Sequence, residues 1–201
     1  MRKIIFSVFS MAIVCLSSFL VFGLAPQKSS SDKEITKVEN FTLKDYNGRS
    51  HSLTDYKNSK AIVLMFISTK CPVSNSYNEK MKDLYDNYHS KDIEFIGINS
   101  NKAEDIDNIK EHAEDHNFKF TILKDWNNVI ANRLDAQVTP EIYVLDSDFE
   151  ILYHGRIDDA RGAGQAKNND LKNALNEILS GKKVAVQKTR AMGCTIKRVD
   201  S

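Results

Sequence analysis

The strongest hydrophobic pattern in the chain is a run of seven apolar residues, Ala61 to Ile67, followed by polar residues, a cysteine and a proline. An unbroken apolar run with β-branched members predicts a strand that is buried on both faces, in the middle of a sheet covered by helices. Pro72 fits the first turn of a helix, where its missing N–H group costs nothing. Cys71 is therefore expected between a central strand and a helix start, where unpaired N–H groups and the helix dipole stabilise a thiolate.

The rest of the chain alternates short apolar runs with amphipathic stretches. Apolar and polar residues alternate on both sides of Asn47-Gly48, a dipeptide typical of tight turns, and predict a short N-terminal hairpin. The patterns predict strands over 93–98, 118–123, 141–146 and 149–153, and helices over 75–88, 103–116, 126–134 and 170–179. This order predicts an α/β domain over 38–181, with a central mixed sheet flanked by helices. Trp126 and the tyrosines of the first long helix are expected in its core.

The segments outside this domain indicate export. Met1 to Ala25 has a positively charged start and then a long apolar stretch, which is the pattern of a signal peptide. With roughly 20 apolar residues it is also long enough to serve as an uncleaved membrane anchor. Residues 26–37 are polar and serine-rich and predict a flexible linker, whereas 182–201 form a basic, nonperiodic tail that carries Cys194. The chain is expected in the periplasm or outside the cell, either free or tethered to a membrane.

Charge and cysteine content narrow the possible functions. The 28 Lys and Arg residues nearly balance the 27 Asp and Glu residues, so the composition shows no electrostatic footprint for nucleic acid. Of the three cysteines, Cys15 lies in the signal segment, and only Cys71 and Cys194 remain in the exported part. Two cysteines in an oxidising compartment favour a disulfide, which would be either a permanent structural bridge or a redox-cycling pair.

Three stretches carry a resemblance to a known family. They are the opening sequence FTLKDYNGRSHSLTDYK, then Cys71-Pro-Val-Ser74 after the apolar strand, and Val138-Thr139-Pro140 before EIYVLD. Together they resemble the redoxins, the family of alkyl hydroperoxide reductase, thiol-specific antioxidant and peroxiredoxin-like proteins. The resemblance spans Phe41 to Leu179 and implies a thioredoxin-like fold with an N-terminal hairpin extension. It also implies that Thr139 and a cis Pro140 face the reactive cysteine and bind substrate. Arg156, in a stretch similar to a peroxiredoxin-like subgroup, is implied as a further substrate-binding residue.

The resemblance also implies catalytic roles for individual residues. Cys71 corresponds to the reactive thiolate, and Ser74 stands where a thioredoxin has its second cysteine. The only resolving partner left in the exported chain is therefore Cys194. Peroxiredoxins place a hydroxyl three residues before the cysteine and a proline seven residues before it, and here those positions are Ser68 and Leu64. The hydroxyl groups of Ser68 and Ser74 are both expected near the sulfur.

The predicted function is that of an exported thiol-dependent oxidoreductase without a cofactor. The Cys71 thiolate is expected either to reduce a peroxide, which leaves a sulfenic acid, or to attack a protein disulfide, which leaves a mixed disulfide. Cys194 or an external thiol would then resolve the intermediate. The expected partners are the oxidised substrate and an external thiol reductant, with no nucleic acid.

Two other functions remain open at this point. A non-catalytic copper carrier on the same fold would use two cysteines in one loop and a distant histidine, but only Cys71-Pro72 of that pattern is present. A redox-inactive scaffold would leave Cys71 with an ordinary thiol. His112 and His116 lie four residues apart, which is a metal-ligand spacing on a helix, although their acidic neighbours favour a solvated face. No metal site is predicted.

Overall fold

The computed structural model describes residues 34–160 and 164–199 of the chain. The signal peptide or anchor predicted over 1–25 lies outside the described residues, as does most of the linker predicted over 26–37. Within the described part, no helix is both long and apolar enough to cross a membrane.

The last residues of the predicted linker belong to the fold. The carbonyl oxygen of Thr36 accepts a 2.8 Å hydrogen bond from the N–H group of Ile151, and the N–H group of Val38 donates a 2.9 Å bond to the carbonyl of Phe149. These bonds add a short extended segment to the edge of the sheet. The folded chain therefore begins before residue 38, the boundary predicted from the sequence.

The described residues form nine strands, five α-helices and three short 3-10 helices. The strands are β1 (Thr42–Asp45), β2 (Ser50–Ser52), β3 (Ala61–Phe66), β4 (Ile93–Asn99), β5 (Thr121–Lys124), β6 (Val138–Thr139), β7 (Glu141–Leu145), β8 (Ile151–Gly155) and β9 (Cys194–Thr195). The α-helices are α1 (Pro72–Asn75), α2 (Asn78–Tyr88), α3 (Ile106–Asp115), α4 (Val129–Arg133) and α5 (Asp170–Leu179), and the 3-10 helices are Leu53–Tyr56, His89–Lys91 and Trp126–Asn128.

Seven of the strands form one mixed sheet in the order β2-β1-β5-β4-β3-β7-β8. The central strands β3, β4 and β5 are parallel, and the other neighbouring pairs in the sheet are antiparallel. The predicted N-terminal hairpin is β1 and β2, and its turn contains Gly48 at φ 81°, a left-handed conformation that glycine adopts without strain. The predicted mixed sheet flanked by helices is confirmed.

Strand β3 is buried on both faces, as predicted. Val63 and Met65 pack into a core with α2, α3 and α5, whereas Leu64 and Phe66 pack on the other face with α4. Every side chain of β3 is fully buried. Since burying one large apolar side chain stabilises a fold by about 1.5–3 kcal/mol, this strand is a rigid support for the loop that follows it.

The helix predicted over 75–88 is broken in two. Helix α1 is a single turn, and α2 starts after Tyr77, whose backbone is not helical (φ −100°, ψ 0°). The break turns the Tyr77 ring into the core, where only 4% of the residue is exposed. Tyr77 and Tyr88 are buried as predicted, and Tyr85 packs against the same core.

Trp126 is not in the core, contrary to the prediction. The residue is 54% exposed, and its ring lies over the Lys124 ammonium group at 5.0 Å. The predicted helix over 126–134 fails at its start because Asn127 and Asn128 adopt left-handed backbone conformations. A regular helix therefore begins only at Val129, and the 3-10 turn before it holds the tryptophan ring at the surface.

Candidate active site

Cys71 lies at the junction between β3 and α1, as the apolar run and Pro72 predicted. It is the N-cap residue of α1, and its sulfur accepts a 3.3 Å hydrogen bond from the backbone N–H group of Ser74. Only 4% of Cys71 is exposed. Because α1 is one turn long, this single N–H group is the helix contact that can stabilise negative charge on the sulfur.

The C-terminal tail brings Cys194 to Cys71. Strand β9 pairs antiparallel with β6, so that Thr139 lies opposite Cys194 and Val138 opposite Thr195. The structure joins the sulfur atoms of Cys71 and Cys194 as a disulfide, with a Cα–Cα distance of 5.9 Å across 123 residues of sequence. The partner expected for Cys71 is therefore the one that the fold places beside it.

The tail is anchored on both sides of Cys194. Before the cysteine, the N–H group of Thr189 donates a 2.9 Å hydrogen bond to the carbonyl of His154 at the end of β8. After it, Ile196 is buried, and the N–H group of Lys197 donates a 2.8 Å bond to the side chain of Asn101. The segment that looked irregular in the sequence is a strap over the end of the sheet.

The Thr139–Pro140 peptide bond is cis, as the resemblance implied. The sulfur of Cys71 lies 3.4 Å from the carbonyl oxygen of Thr139, so this turn faces the cysteine. Gly193 presses against the same carbonyl, since a Cβ atom added at Gly193 would lie 1.9 Å from it. No side chain fits there.

The hydroxyl groups of Ser68 and Ser74 do not contact the sulfur directly. The Ser74 hydroxyl accepts a 3.1 Å hydrogen bond from the Ser68 N–H group, and the Ser68 hydroxyl accepts a 2.9 Å bond from the Cys71 N–H group. Both residues lie beside Cys71, but the hydrogen bond to its sulfur comes from the Ser74 backbone. Their bonds shape the loop, and the Ser74 backbone makes the contact with sulfur.

A buried carboxylate, Glu104, lies behind this loop and was missed from the sequence. One of its oxygens accepts a 2.5 Å hydrogen bond from the Ser68 hydroxyl, and the other accepts bonds from the Thr69 N–H group (2.7 Å) and the Asn99 amide (2.6 Å). Only 3% of Glu104 is exposed. No local pattern distinguishes this residue from the acidic residues around it, so only its position in the fold reveals it.

Arg156 lies at the rim of the site but is already paired. Its Nε atom donates a 2.7 Å hydrogen bond to the carboxylate of Asp170. Arg156 nevertheless lines a cavity of about 380 Å³ that opens beside Pro72 and Gly193. Apolar groups form most of its wall, so the cavity admits a small molecule or a side chain next to the disulfide.

A buried cluster at the same cavity was also missed. Asp158 is 3% exposed and forms an ion pair of 2.6 Å with Lys80. The Tyr77 hydroxyl donates a 3.0 Å hydrogen bond to the same carboxylate. These contacts hold the start of α2 against the segment after β8, and Asp158 adds a carboxylate to the lining of the cavity.

Glu141 stabilises the segment that leads into the cis-proline turn. Its carboxylate accepts hydrogen bonds from the N–H groups of Gln137 (2.8 Å) and Val138 (3.1 Å) and from His154 Nε2 (2.7 Å). Burial alone would raise the pKa of Glu141, but the hydrogen bond from His154 and those from the backbone hold the pKa below its ordinary value. The carboxylate is therefore charged at neutral pH and fixes the strand on which β9 lies.

His112 and His116 do not join a metal site within the described ranges, where no group of three or more metal-binding side chains occurs. Burial, together with the nearby His116, lowers the pKa of His112 to about 4, against the opposing charges of Glu104 and Asp115. A histidine whose pKa is lower in the folded than in the unfolded state destabilises the fold when it is protonated. Its contribution to stability is complete above pH 6.5 and is lost as the pH falls from there towards about 4.

Replacing His112 by glutamine is therefore expected to flatten the acid side of the stability profile. The free energy of unfolding of the native protein, measured with urea, should fall between pH 7 and pH 5 by about 1 kcal/mol more than that of His112→Gln. His89→Gln, at a histidine whose side chain is 45% exposed, is the control. An unchanged decline in His112→Gln would show that another group causes it.

Comparison with known proteins places this site in a family. The sequence profile described as the AhpC/TSA family matches residues 36–157. The chain is 28% identical over 111 residues to the thiol-disulfide oxidoreductase ResA of Geobacillus thermodenitrificans, a match covering 55% of this chain and 62% of that protein. It is also 26% identical over 121 residues to the chloroplastic peroxiredoxin Q of Oryza sativa subsp. japonica, covering 57% and 54% of the two chains. The chain thus spans less than two thirds of the length of both relatives.

Solved structures show the same architecture. An uncharacterized conserved protein from Geobacillus kaustophilus superposes with a TM-score of 0.78 at 29% identity, over 85% of this chain and 95% of that one. The thioredoxin domain of a thiol-disulfide oxidoreductase from Bacteroides vulgatus superposes with a TM-score of 0.54 at 18% identity, over 64% and 90%. The prediction of a thioredoxin-like fold is confirmed. The predicted thiol-dependent oxidoreductase agrees with the names of both relatives. With its profile match over most of the folded part, the chain belongs to the AhpC/TSA family of redoxins.

Proposed function

We propose that the chain is an exported thiol–disulfide oxidoreductase in which Cys71 attacks the oxidised substrate and Cys194 resolves the intermediate. The observation that carries this proposal is the position of Cys194, which β9 holds within bonding reach of Cys71 beside the cis-proline turn. A resolving thiol must reach the sulfur that it attacks, and the closeness of Cys194 to Cys71 supports this role for Cys194.

In the proposed cycle the Cys71 thiolate attacks one sulfur of a substrate disulfide. A Cys71–substrate disulfide forms, and the other substrate sulfur leaves as a thiolate. The Cys194 thiolate then attacks the Cys71 sulfur, which forms the Cys71–Cys194 disulfide and releases the second substrate thiolate. Two electrons pass from the protein thiols to the substrate. An external dithiol must reduce the protein again before the next turn.

Cys71 is the proposed nucleophile because its surroundings favour the charged form. The Ser74 N–H group donates to its sulfur, and hydrogen bonding to a thiolate favours deprotonation. Cys194 has the partner role because the pairing of β9 with β6 holds it within bonding reach of Cys71. Ser74 contributes to the attack through its backbone, and Ser68 acts on the loop and not on the sulfur.

The proposed substrate-binding residues are Thr139, Pro140 and Arg156. In this structure β9 pairs with one edge of β6. A substrate polypeptide that pairs with the same edge would occupy the place of β9. The tail and such a substrate therefore exclude each other at Thr139. When β9 returns to this edge, it would displace the substrate backbone. In the same step Cys194 would attack Cys71 and release the substrate sulfur.

Peroxide reduction is a second candidate, favoured by the cavity beside the disulfide. With the tail in place, the space of about 380 Å³ next to Pro72 and Gly193 still admits a small oxidant. Cys71 would attack the peroxide oxygen, forming a sulfenic acid and releasing water or an alcohol. Cys194 would then condense with the sulfenic acid, forming the same disulfide and releasing water. One relative, peroxiredoxin Q, carries a name of this class.

Export is proposed from the N-terminal segment. The charged start and long apolar stretch of 1–25 support a signal peptide or an uncleaved anchor, and an oxidising compartment suits a protein that cycles through a disulfide. We propose a periplasmic or extracellular location, with a tether to the membrane if the segment is not cleaved. The partner in either place is an external thiol reductant.

The test is a thiol count by mass spectrometry on the full chain in mild detergent, with Cys15→Ser in every variant. Reduced protein is mixed with one equivalent of oxidised glutathione or of hydrogen peroxide. With glutathione, the native pair should form the Cys71–Cys194 disulfide and release two glutathione thiols, whereas Cys194→Ser should stop with one glutathione on Cys71. Cys71→Ser should react at least 100-fold more slowly, since it lacks the nucleophile.

The outcomes separate the two candidates. Reaction with glutathione disulfide but not with peroxide within minutes supports thiol–disulfide exchange. A fast reaction with peroxide alone, with Cys194→Ser stopping at a sulfenic acid on Cys71, would replace the proposal by the peroxidase. If neither oxidant consumes the thiols, both candidates are wrong and the disulfide is structural.

A further inference from the structure

A line of buried polar side chains runs across the carboxyl ends of the three parallel strands and ends at Cys71. It starts at Lys124 on β5, passes Asn99 on β4 and Glu104 after it, and reaches Ser68 after β3. Each of these four residues is 3% exposed or less. Burying this many polar groups is unfavourable unless all are paired, so their arrangement calls for a role.

The bonds along the line are short and continuous. Lys124 Nζ donates to Asn99 Oδ1 at 2.9 Å, and Asn99 Nδ2 donates to Glu104 Oε2 at 2.6 Å. The Ser68 hydroxyl donates to Glu104 Oε1 at 2.5 Å, and the Cys71 N–H group donates to the Ser68 hydroxyl oxygen at 2.9 Å. A lysine ammonium group and the backbone of the nucleophile are thus joined through one carboxylate.

The direction of these bonds is decided by Glu104. Its two oxygens accept from four donors, which are the Ser68 hydroxyl, the Thr69 N–H group, the Thr69 hydroxyl and the Asn99 amide. An ionised carboxylate accepts only, so it fits this set, whereas a protonated one would place its own donor against another. The Ser68 hydroxyl must therefore donate to Glu104. Its oxygen is left free to accept from the N–H groups of Cys71 and Lys70.

Ser68 transmits this orientation to both ends of the reactive loop. Its hydroxyl oxygen holds the Cys71 N–H group, and its own N–H group donates to the Ser74 hydroxyl at 3.1 Å. Ser74 is also the residue whose backbone N–H group donates to the Cys71 sulfur. A displacement of Ser68 would therefore move the sulfur and its donor relative to each other.

We propose that Glu104 is a positioning residue for the reaction, and that it acts through Ser68 to hold Cys71 where the Ser74 N–H group meets its sulfur. The inference rests on the proposed function only in that Cys71 is the reacting group. Glu104 does not touch the substrate. Its negative charge would by itself oppose a nearby thiolate, and the Lys124 ammonium group offsets that charge.

The two roles that Glu104 can have predict opposite results. If Glu104 acts only as a charge, Glu104→Gln removes repulsion and Cys71 ionises at lower pH. If it acts by positioning, the NH₂ group that Glu104→Gln introduces has two possible places. It either faces the Thr69 and Asn99 donors or reverses the direction of the hydrogen bond with Ser68. Either arrangement disturbs Ser68, and Cys71 then ionises at higher pH. Ser68→Ala breaks the same line of hydrogen bonds and keeps the negative charge of Glu104. Only the positioning role therefore predicts that both variants shift the ionisation of Cys71 in the same direction.

The experiment measures how fast iodoacetamide alkylates Cys71 as a function of pH. The full chain carries Cys15→Ser and Cys194→Ser, so that Cys71 is the single thiol. Ser68→Ala and Glu104→Gln should each raise the midpoint pH by roughly one unit, the size expected when one hydrogen bond to a charged group is lost. The double variant should shift it no further than either single variant, because both break one line.

Two further variants complete the test. Ser68→Thr keeps a hydroxyl and should restore the native midpoint, and Glu111→Gln, at an exposed glutamate on α3, is the matched control that should leave it unchanged. If Glu104→Gln does not fold, as judged by circular dichroism, Ser68→Ala and Ser68→Thr decide the question. A lower midpoint in Glu104→Gln, or an unchanged midpoint in Ser68→Ala, overturns the proposal. Alkylation needs no turnover, so this result is independent of the test of the proposed function.

Discussion

Replacing Gly193 by alanine is expected to slow formation of the Cys71–Cys194 disulfide by roughly 100-fold, the size of effect that a displacement of about 1 Å causes between reacting groups. The new Cβ atom would lie 1.9 Å from the carbonyl oxygen and 2.6 Å from the carbonyl carbon of Thr139. Backbone atoms cannot move aside as the end of a side chain can. The tail must therefore shift outwards, and β9 with Cys194 must leave its place beside Cys71.

The measurement is stopped-flow or quenched mass spectrometry of the reduced protein after it is mixed with oxidised glutathione. In Gly193→Ala the first step, attack by Cys71, should proceed, so that the Cys71–glutathione disulfide accumulates. Gly181→Ala is the control: a Cβ atom there meets nothing within 4 Å, and the strain from its positive φ of 67° falls on the residues that follow α5. If Gly193→Ala closes the disulfide as fast as the native protein, resolution does not require the tail position seen here.

Reduction of the disulfide is expected to lower the free energy of unfolding by about 4–5 kcal/mol, because a cross-link restricts the conformational entropy of the unfolded chain. The two cysteines lie 123 residues apart, so the cross-link closes a long loop. The check is guanidinium unfolding of the full chain with and without a reductant, with Cys15→Ser to exclude other bridges. Native-state contacts change little, because the tail keeps its hydrogen bonds to Asn101 and His154.

Cys194→Ser is the control for this measurement, since its stability should not respond to the reductant and should match that of the reduced protein. A loss below about 1 kcal/mol on reduction would contradict this entropic account of the cross-link. A large loss also has a functional consequence. A more stable oxidised form is harder to reduce. The external thiol must therefore supply this difference in free energy in each catalytic cycle.

The sequence predicted those parts of the site that follow from local patterns. The apolar run of β3 and the proline after Cys71 placed the cysteine correctly at a strand–helix junction, because burial and backbone restriction act on neighbouring residues. The Asn47-Gly48 turn likewise predicted the hairpin. Trp126 was placed wrongly because apolar character was taken as burial, whereas two left-handed asparagines before α4 turn the ring outwards.

Contacts between distant parts of the chain were beyond these patterns. Glu104 lies 36 residues from Ser68, and nothing in its own segment marks it as different from its acidic neighbours. The tail shows no hydrophobic periodicity because hydrogen bonds, and not an apolar stripe, hold it to the domain. These bonds come from backbone groups and from side chains such as those of Asn101 and Asn128. A hydrogen bond depends on where two chain segments meet, and periodicity records only which face a residue presents.

By itself, the sequence determined the fold class, the position of Cys71 at a strand–helix junction and the presence of a second cysteine, Cys194, in the tail. These depend on residue types and spacing, which set the local backbone and the burial of each element. The tertiary structure alone decided that Cys194 meets Cys71, that the Ser74 backbone and not its hydroxyl faces the sulfur, and that Glu104 lies behind the loop. Each of these depends on the packing of β9, β4 and β3 against one another, because hydrogen-bond partners and their directions exist only once the distant segments are assembled.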